Sequence, residues 1–208
     1  MKAPRQEVRI IGGRWKRSKL PVVDSPGLRP TPDRVRETVF NWLGQDLSGW
    51  RCLDAFAGSG ALGFEAASRG AADVLLVERE TRIVRSLEQT RERLHADAVR
   101  IVSGDGVTQM KRLDPGSLEL VFIDPPYDSD VSRPALSAAA RLVVAGGFVY
   151  FEGAEPVDAE FATNFDLGVH RQARAGNVHF HLLQRSVGAA RMPRHGNPTD
   201  PTLSGSTP

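Results

Sequence analysis

Between Arg51 and Phe151 the apolar residues of this chain alternate between two patterns. Compact runs at Cys52–Phe56, Asp73–Val77, Val99–Val102, Leu118–Ile123 and Gly147–Phe151 carry few polar residues and read as buried strands. The segments between them space their apolar residues three and four apart. They predict helices at Ala61–Arg69, Thr81–Leu94, Val107–Leu113 and Pro134–Val143. In the longest of these, Ile83, Val84, Leu87 and Leu94 form the inward stripe. Strands alternating with helices imply a parallel sheet covered on both faces. Past Phe151 the alternation breaks. Phe165–Arg171 and Val178–Leu183 flank Ala175-Gly176-Asn177, which predicts an antiparallel hairpin.

The chain before Arg51 has its own pattern. Val8–Ile11 and Lys19–Val23, separated by Gly12-Gly13, read as a short β-hairpin. Asp24–Pro30 is a turn-rich connector. Thr31-Pro32 then opens a helix with Thr31 as the expected N-cap, Pro32 at the first helical position, and Val35, Val39, Phe40, Trp42 and Leu43 on its apolar face. At the other end, Ser186–Pro208 is dominated by Pro, Gly, Ser, Thr and Asn. It buries too little to offset its ordering entropy, which predicts disorder. The expected organisation is a basic hairpin extension over 1–30, one α/β domain over 31–185 and a disordered tail over 186–208.

Charge changes this picture in one place. The net charge is only +2, but residues 1–36 hold ten Lys/Arg against three acids, putting +7 on that segment and −5 on the rest. A basic, folded arm carrying Trp15 among its cations suggests a polyanion partner. Nothing in the chain approaches the length of a membrane span, and no apolar stretch follows the N-terminus to make a secretory signal. Cys52 is the sole cysteine and reads as a small buried hydrophobe. A cytoplasmic enzyme without a metal centre fits these features.

Candidate chemistry gathers at the predicted strand ends. Gly58-x-Gly60-x-x-Gly63 follows the first strand of the alternating region, where wound sheets bind ligands. The glycines alone suit NAD as well as S-adenosylmethionine. The acids narrow the choice: Asp54 precedes the glycines, where a carboxylate would oppose a pyrophosphate but meet an ammonium. Glu78 and Asp105 end the next two strands. After Leu118–Ile123 comes Asp124-Pro125-Pro126-Tyr127, a loop that cannot continue a helix or pair in a ladder. It sets a carboxylate, peptide carbonyls and a flat ring side by side, a set able to grip an exocyclic amine while stacking on a heterocycle.

Together these motifs resemble those of the bacterial small-subunit rRNA guanine-N2 methyltransferases, which act on a guanine of 16S rRNA. The resemblance runs over residues 7–185 and is carried by Arg9–Arg17, Leu28–Glu37, Asp54–Glu65 and Asp124–Tyr127. It implies a Rossmann-like class I methyltransferase sheet, mostly parallel, of seven strands with the last one antiparallel. It implies S-adenosylmethionine as cofactor, with Asp54, Phe56, Gly58, Gly60, Glu78, Arg79, Asp105 and Gly106 around it and Arg29 and Thr31 at its methionine end. Asp124, Pro125, Pro126 and Tyr127 would be catalytic, the acid and the Pro125 carbonyl accepting from the guanine amine. Arg14, Lys16, Arg17, Lys19, Arg34 and Arg36 would hold 16S rRNA, free or within a small-subunit assembly intermediate. A DNA adenine-N6 methyltransferase would use the same acceptors. An NAD-binding oxidoreductase has only the glycines in its favour, and a silent RNA-binding module leaves Asp124 and Tyr127 without a purpose.

Overall fold

The structure, a computed structural model, describes residues 7–25, 31–125 and 131–187. Its centre is a seven-stranded sheet built from β3 (Arg51–Asp54), β4 (Asp73–Glu78), β5 (Val99–Ser103), β6 (Leu118–Ile123), β7 (Val143–Gly153), β8 (Leu167–Ala175) and β9 (Val178–Arg185), in the order β5-β4-β3-β6-β7-β9-β8. The first five pair in parallel, while β9 runs antiparallel between β7 and β8. The predicted mostly parallel sheet with a reversed last strand is therefore present.

Why the strands read as unbroken apolar runs is visible in the two cores. Neighbouring residues of one strand serve opposite faces. Cys52, Leu76, Phe122 and Tyr150 pack on α1 (Asp33–Trp42), α2 (Ala61–Ser68) and α3 (Thr81–Leu94) through Phe40, Phe64 and Leu87. Leu53, Leu75, Ile123 and Val149 pack on α4 (Gly106–Arg112), α5 (Ser132–Leu142) and α6 (Ala159–Thr163) through Met110, Leu136 and Ala162. A sheet buried on both faces has no room for a polar alternate position. Cys52 is buried as expected, and burial pushes its thiol pKa up.

Three local readings differ from the structure. Helix α1 begins at Asp33 with Pro32 as its cap residue, and the Pro32 carbonyl takes the first helical amides; Thr31 does not cap it. Val143 opens β7 instead of closing α5, because its extended backbone pairs with Leu118 across a register shift. Helix α6 is too short to leave a periodic signal.

The N-terminal hairpin pairs β1 (Glu7–Arg9) with β2 (Lys19–Pro21), placing Val8 opposite Leu20. It is no loose arm. Val8, Ile10 and Leu20 join the core of α1, α2 and α3. The Ile11 and Gly12 amides donate to the Glu65 carboxylate at 2.7 and 2.8 Å. The Arg14 amide donates to the Ser68 carbonyl, and the Trp15 amide to the Ser68 hydroxyl. Gly13 is obligatory here: its φ is +73°, and a Cβ would lie 1.9 Å from the Ser68 oxygen. Among the described residues, no helix is long and apolar enough to cross a membrane.

Candidate active site

The carboxyl ends of the parallel strands form one edge, and the predicted acids lie along it in strand order: Asp105, Glu78, Asp54, Asp124. At about 4.8 Å per strand, they span roughly 14 Å. That span suits an extended ligand laid across the sheet.

The four are held differently. Asp105 caps α4, its Oδ1 accepting from the Thr108 amide at 2.8 Å. Hydrogen bonds from the Thr108 side chain and backbone hold its carboxyl below the ordinary value. Half-buried Glu78 accepts from the Gly58 amide at 3.0 Å and the Glu80 amide at 2.8 Å, which ties the glycine loop to the end of β4. Asp54 is 1% exposed, and its Oδ2 accepts from the Gly63 amide at 3.1 Å. Its Oδ1 has no hydrogen-bond partner among the described residues. Burial pushes this carboxyl up to about 7 against the pull of the Gly63 and Phe56 amides.

The loop glycines are steric necessities. Gly60 has φ +75°, and a Cβ there would lie 2.6 Å from the Phe64 ring. A Cβ on Gly106 would meet the Ala55 carbonyl at 2.1 Å, so only glycine lets α4 start against the loop after β3. The Phe56 ring borders Gly106. Arg79 is exposed and lies near enough to Asp105 to lower its pKa further.

Asp124 has other company. Thr31, 6% exposed, donates its hydroxyl to Asp124 Oδ2 at 3.0 Å. The threonine expected both to cap the helix and to line the methionine end of the cofactor pocket has its hydroxyl on the acid of the other motif. Beside Asp124, at the end of β7, stands Glu152, 8% exposed, accepting from the Tyr150 hydroxyl at 2.5 Å. Burial raises the Asp124 carboxyl well above its ordinary value, with Glu152 second and Thr31 opposing; Glu152 is raised by burial as well. Two carboxylates so close do not ionise independently. Asp124 keeps part of its surface open to a cavity of about 380 Å³ that Pro125, Phe151, Glu152, Pro156 and Phe161 also line. Sequence reasoning missed Glu152 because no motif surrounds it; the one signal available was its place directly after the predicted strand Gly147–Phe151.

The remaining assignments divide. Arg29, Pro126 and Tyr127 lie outside the described residues, as does the tail from residue 188 on. Arg14, Lys16, Arg17, Lys19 and Arg34 are exposed. The hairpin tip sits at the end of α2 opposite Gly60, about 12 Å away along that helix. Arg36 cannot serve RNA. It is 0% exposed and donates to the Arg9 carbonyl at 2.8 Å and to Asp33 at 2.7 Å, 3.5 Å from Glu65. Its helix phase turns it inward, where with Arg69, 2.8 Å from Glu65, it balances the carboxylate that anchors the hairpin. No group of His, Cys, Asp and Glu among the described residues is arranged to hold a metal ion.

The edge offers acceptors nearly throughout, including one orphaned buried oxygen. That complements a ligand rich in donors: an ammonium, two ribose hydroxyls and an adenine amine. Fold and site together define a class I methyltransferase, with S-adenosylmethionine as methyl donor. The chain belongs to the family described as Conserved hypothetical protein 95, which matches residues 8–184. It is 39% identical over 186 residues to Ribosomal RNA small subunit methyltransferase D of Escherichia coli, covering 87% of this chain and 91% of that one. Putative rRNA methyltransferase YlbH of Bacillus subtilis is 33% identical over 134 residues, or 62% of this chain and 72% of the relative. The solved structure of a putative methyltransferase, yhhF, from Escherichia coli superposes with a TM-score of 0.75 at 34% identity, covering 88% of this chain and all of that one.

Proposed function

We propose that this protein methylates the exocyclic N2 of a guanine in 16S rRNA, in the cytoplasm, on RNA that is free or within a small-subunit assembly intermediate. One observation carries the reading: a partly exposed Asp124, its carboxylate steadied by Thr31, sits between the acidic strand-end edge and a cavity with aromatic walls. The relatives' names supply the rRNA.

On this reading Asp54 receives the methionine ammonium on its orphaned oxygen. Glu78 takes the ribose hydroxyls on the lone pairs its two amides leave over, and Asp105 takes the adenine amine. Gly58, Gly60 and Gly106 leave room for the backbone to approach, Phe56 and Arg79 border the adenine end, and the family resemblance assigns Arg29, outside the described residues, to the methionine end. Bound there, the cofactor supplies an electrophilic methyl on a sulfonium.

The guanine amine is a weak nucleophile because its lone pair is delocalised into the ring. Asp124 and the Pro125 carbonyl accept its two N–H groups, drawing the nitrogen toward a pyramidal shape with the lone pair facing the methyl. Positioning of this kind supplies several kcal/mol of a barrier. As the N–C bond formed, the methyl's bond to sulfur would break and leave a neutral thioether; the nitrogen's extra proton, now acidic, would pass along its hydrogen bond to the Asp124 carboxylate and on to solvent, so no strong base is needed. Pro126 and Tyr127, outside the described residues, complete the motif, and the family resemblance assigns the Tyr127 ring to stacking on the flipped base. Arg14, Lys16, Arg17, Lys19 and Arg34 hold phosphates of RNA that runs on beyond the site.

The test is transfer of labelled methyl to 16S rRNA, small subunits and DNA, with mass spectrometry of nuclease digests from cells with and without the protein. N2-methylguanosine that disappears with the protein is the expected result. Methyladenine in DNA would overturn the reading.

A further inference from the structure

Glu152 has no part in the mechanism above, yet it is one of the most constrained groups beside the site. It is the penultimate residue of β7, the strand paired with β6, and the register that puts Phe151 opposite Ile123 brings it level with Asp124. Both acids line the same cavity. A carboxylate that is 8% exposed and tied through one oxygen to Tyr150 is an expensive thing to keep unless a ligand uses it.

The cavity walls suit a flat ring: Phe151, Phe161, Pro125 and Pro156 supply apolar surface. Asp124 and Glu152 contribute only acceptors in the doubly ionised form, which a ligand edge bringing two N–H donors favours over the form that shares a proton. A flipped base is read along its Watson–Crick edge. Guanine presents two neighbouring donors there, N1–H and the N2 amine. Adenine presents an amine beside an unprotonated N1, which would face Glu152 acceptor to acceptor. Two carboxylates from adjacent strands therefore match one base and repel the other.

We propose that Glu152 selects the base: its carboxylate accepts the guanine N1–H while Asp124 accepts from the N2 amine. This rests on the guanine-N2 reading. Tyr150 and Thr31 then act as positioning residues, each holding one acid by its hydroxyl. Transfer still occurs at N2 through Asp124, and Glu152 fixes which ring can present that nitrogen.

The experiment uses the full-length protein and 16S rRNA carrying either guanine or 2-aminopurine at the methylated position, free and assembled into small subunits. 2-Aminopurine keeps the N2 amine but has a bare N1. The wild type should favour guanine by on the order of a thousandfold in kcat/KM, because a site built to accept a hydrogen bond rejects an analogue lacking the donor. Glu152→Gln keeps the shape and the tie to Tyr150 but adds an N–H that can serve a bare N1. It should narrow the preference by roughly tenfold or more. A purely structural Glu152 would lower both substrates together and leave the ratio unchanged. A misfolded fraction cancels in each ratio, and the loss of O6 cancels when the variant's ratio is compared with that of the wild type. An unchanged ratio with clear methylation of guanine overturns the role of Glu152 alone. No transfer to guanine by the wild type overturns both this and the guanine reading.

Discussion

The two halves of the acidic edge are built on opposite principles. On the β4 and β5 side, Glu78 and Asp105 are satisfied by backbone amides, and Asp105 is a helix cap with a lowered pKa. On the β6 and β7 side, Asp124 and Glu152 are held by the hydroxyls of Thr31 and Tyr150, and both pKa values are raised. Asp54 stands between them, with one oxygen held and one orphaned. Carboxylates pinned by amides are ready-made and rigid, good for grasping the same cofactor at every turnover. Carboxylates buried with few donors are held at a cost that a passing substrate relieves. The first half is expected to bind and the second to act.

The largest break in that division comes from Asp124→Ala. Methyl transfer should fall on the order of a thousandfold, while calorimetry shows cofactor affinity near that of the wild type. Lost cofactor binding would put Asp124 in the wrong half. Asp124→Asn, which keeps an acceptor oxygen, should retain part of the activity.

Asp54→Asn tests the boundary and should weaken cofactor binding by roughly tenfold to a hundredfold. It also alters stability with pH. A carboxyl raised to about 7 in the folded chain favours folding fully below its unfolded value near 4, and that contribution is lost as pH rises through 7. Ligand-free wild type should therefore lose a few kcal/mol between pH 4 and 7 from this group, because each pH unit between the unfolded and folded values is worth about 1.4 kcal/mol. Urea denaturation of the Asn variant should show a flatter profile. A wild-type slope retained in the variant would mean that Asp54 ionises normally.

Thr31→Val separates the halves more gently. The hydroxyl donates to Asp124 and so favours its ionised form. Without it the Asp124 pKa rises further, the acid limb of the pH–rate profile moves to higher pH, and transfer drops roughly tenfold. An unmoved limb would remove Asp124 from the titration.

The smallest effects belong to the hairpin tip. Neutralising Arg14, Lys16, Arg17 or Lys19 singly should cost a few-fold in RNA affinity and flatten the salt dependence by about 0.7 in log–log slope per lost single-strand phosphate contact. Cofactor affinity should not change. Neutralising Arg36 should instead unfold the protein at lower denaturant, because it breaks buried bonds to the Arg9 carbonyl, Asp33 and Glu65 that tie α1 to the hairpin; Glu65 keeps Arg69 at 2.8 Å, so the loss should stay below the cost of a fully unpaired buried charge.

Strand and helix order, the glycine turn and the four strand-end acids were legible in the chain because their signals are local. Apolar spacing within a dozen residues marks an element, and a glycine marks a turn wherever it lies. What those signals could not carry was partnership. Arg36 reads like Arg34 until α1 is laid on Glu65 of α2. Thr31 reads as a helix cap until β6 delivers Asp124 to its hydroxyl. Glu152 reads as one more exposed strand end until β7 docks beside β6 and the cavity forms. Each of these depends on residues far apart in sequence. The chain by itself determined which groups reach the carboxyl edge of the sheet. Only the tertiary structure decided which are buried together, because burial and proximity to another charge set how a carboxylate behaves, and neither has a period that a sequence can display.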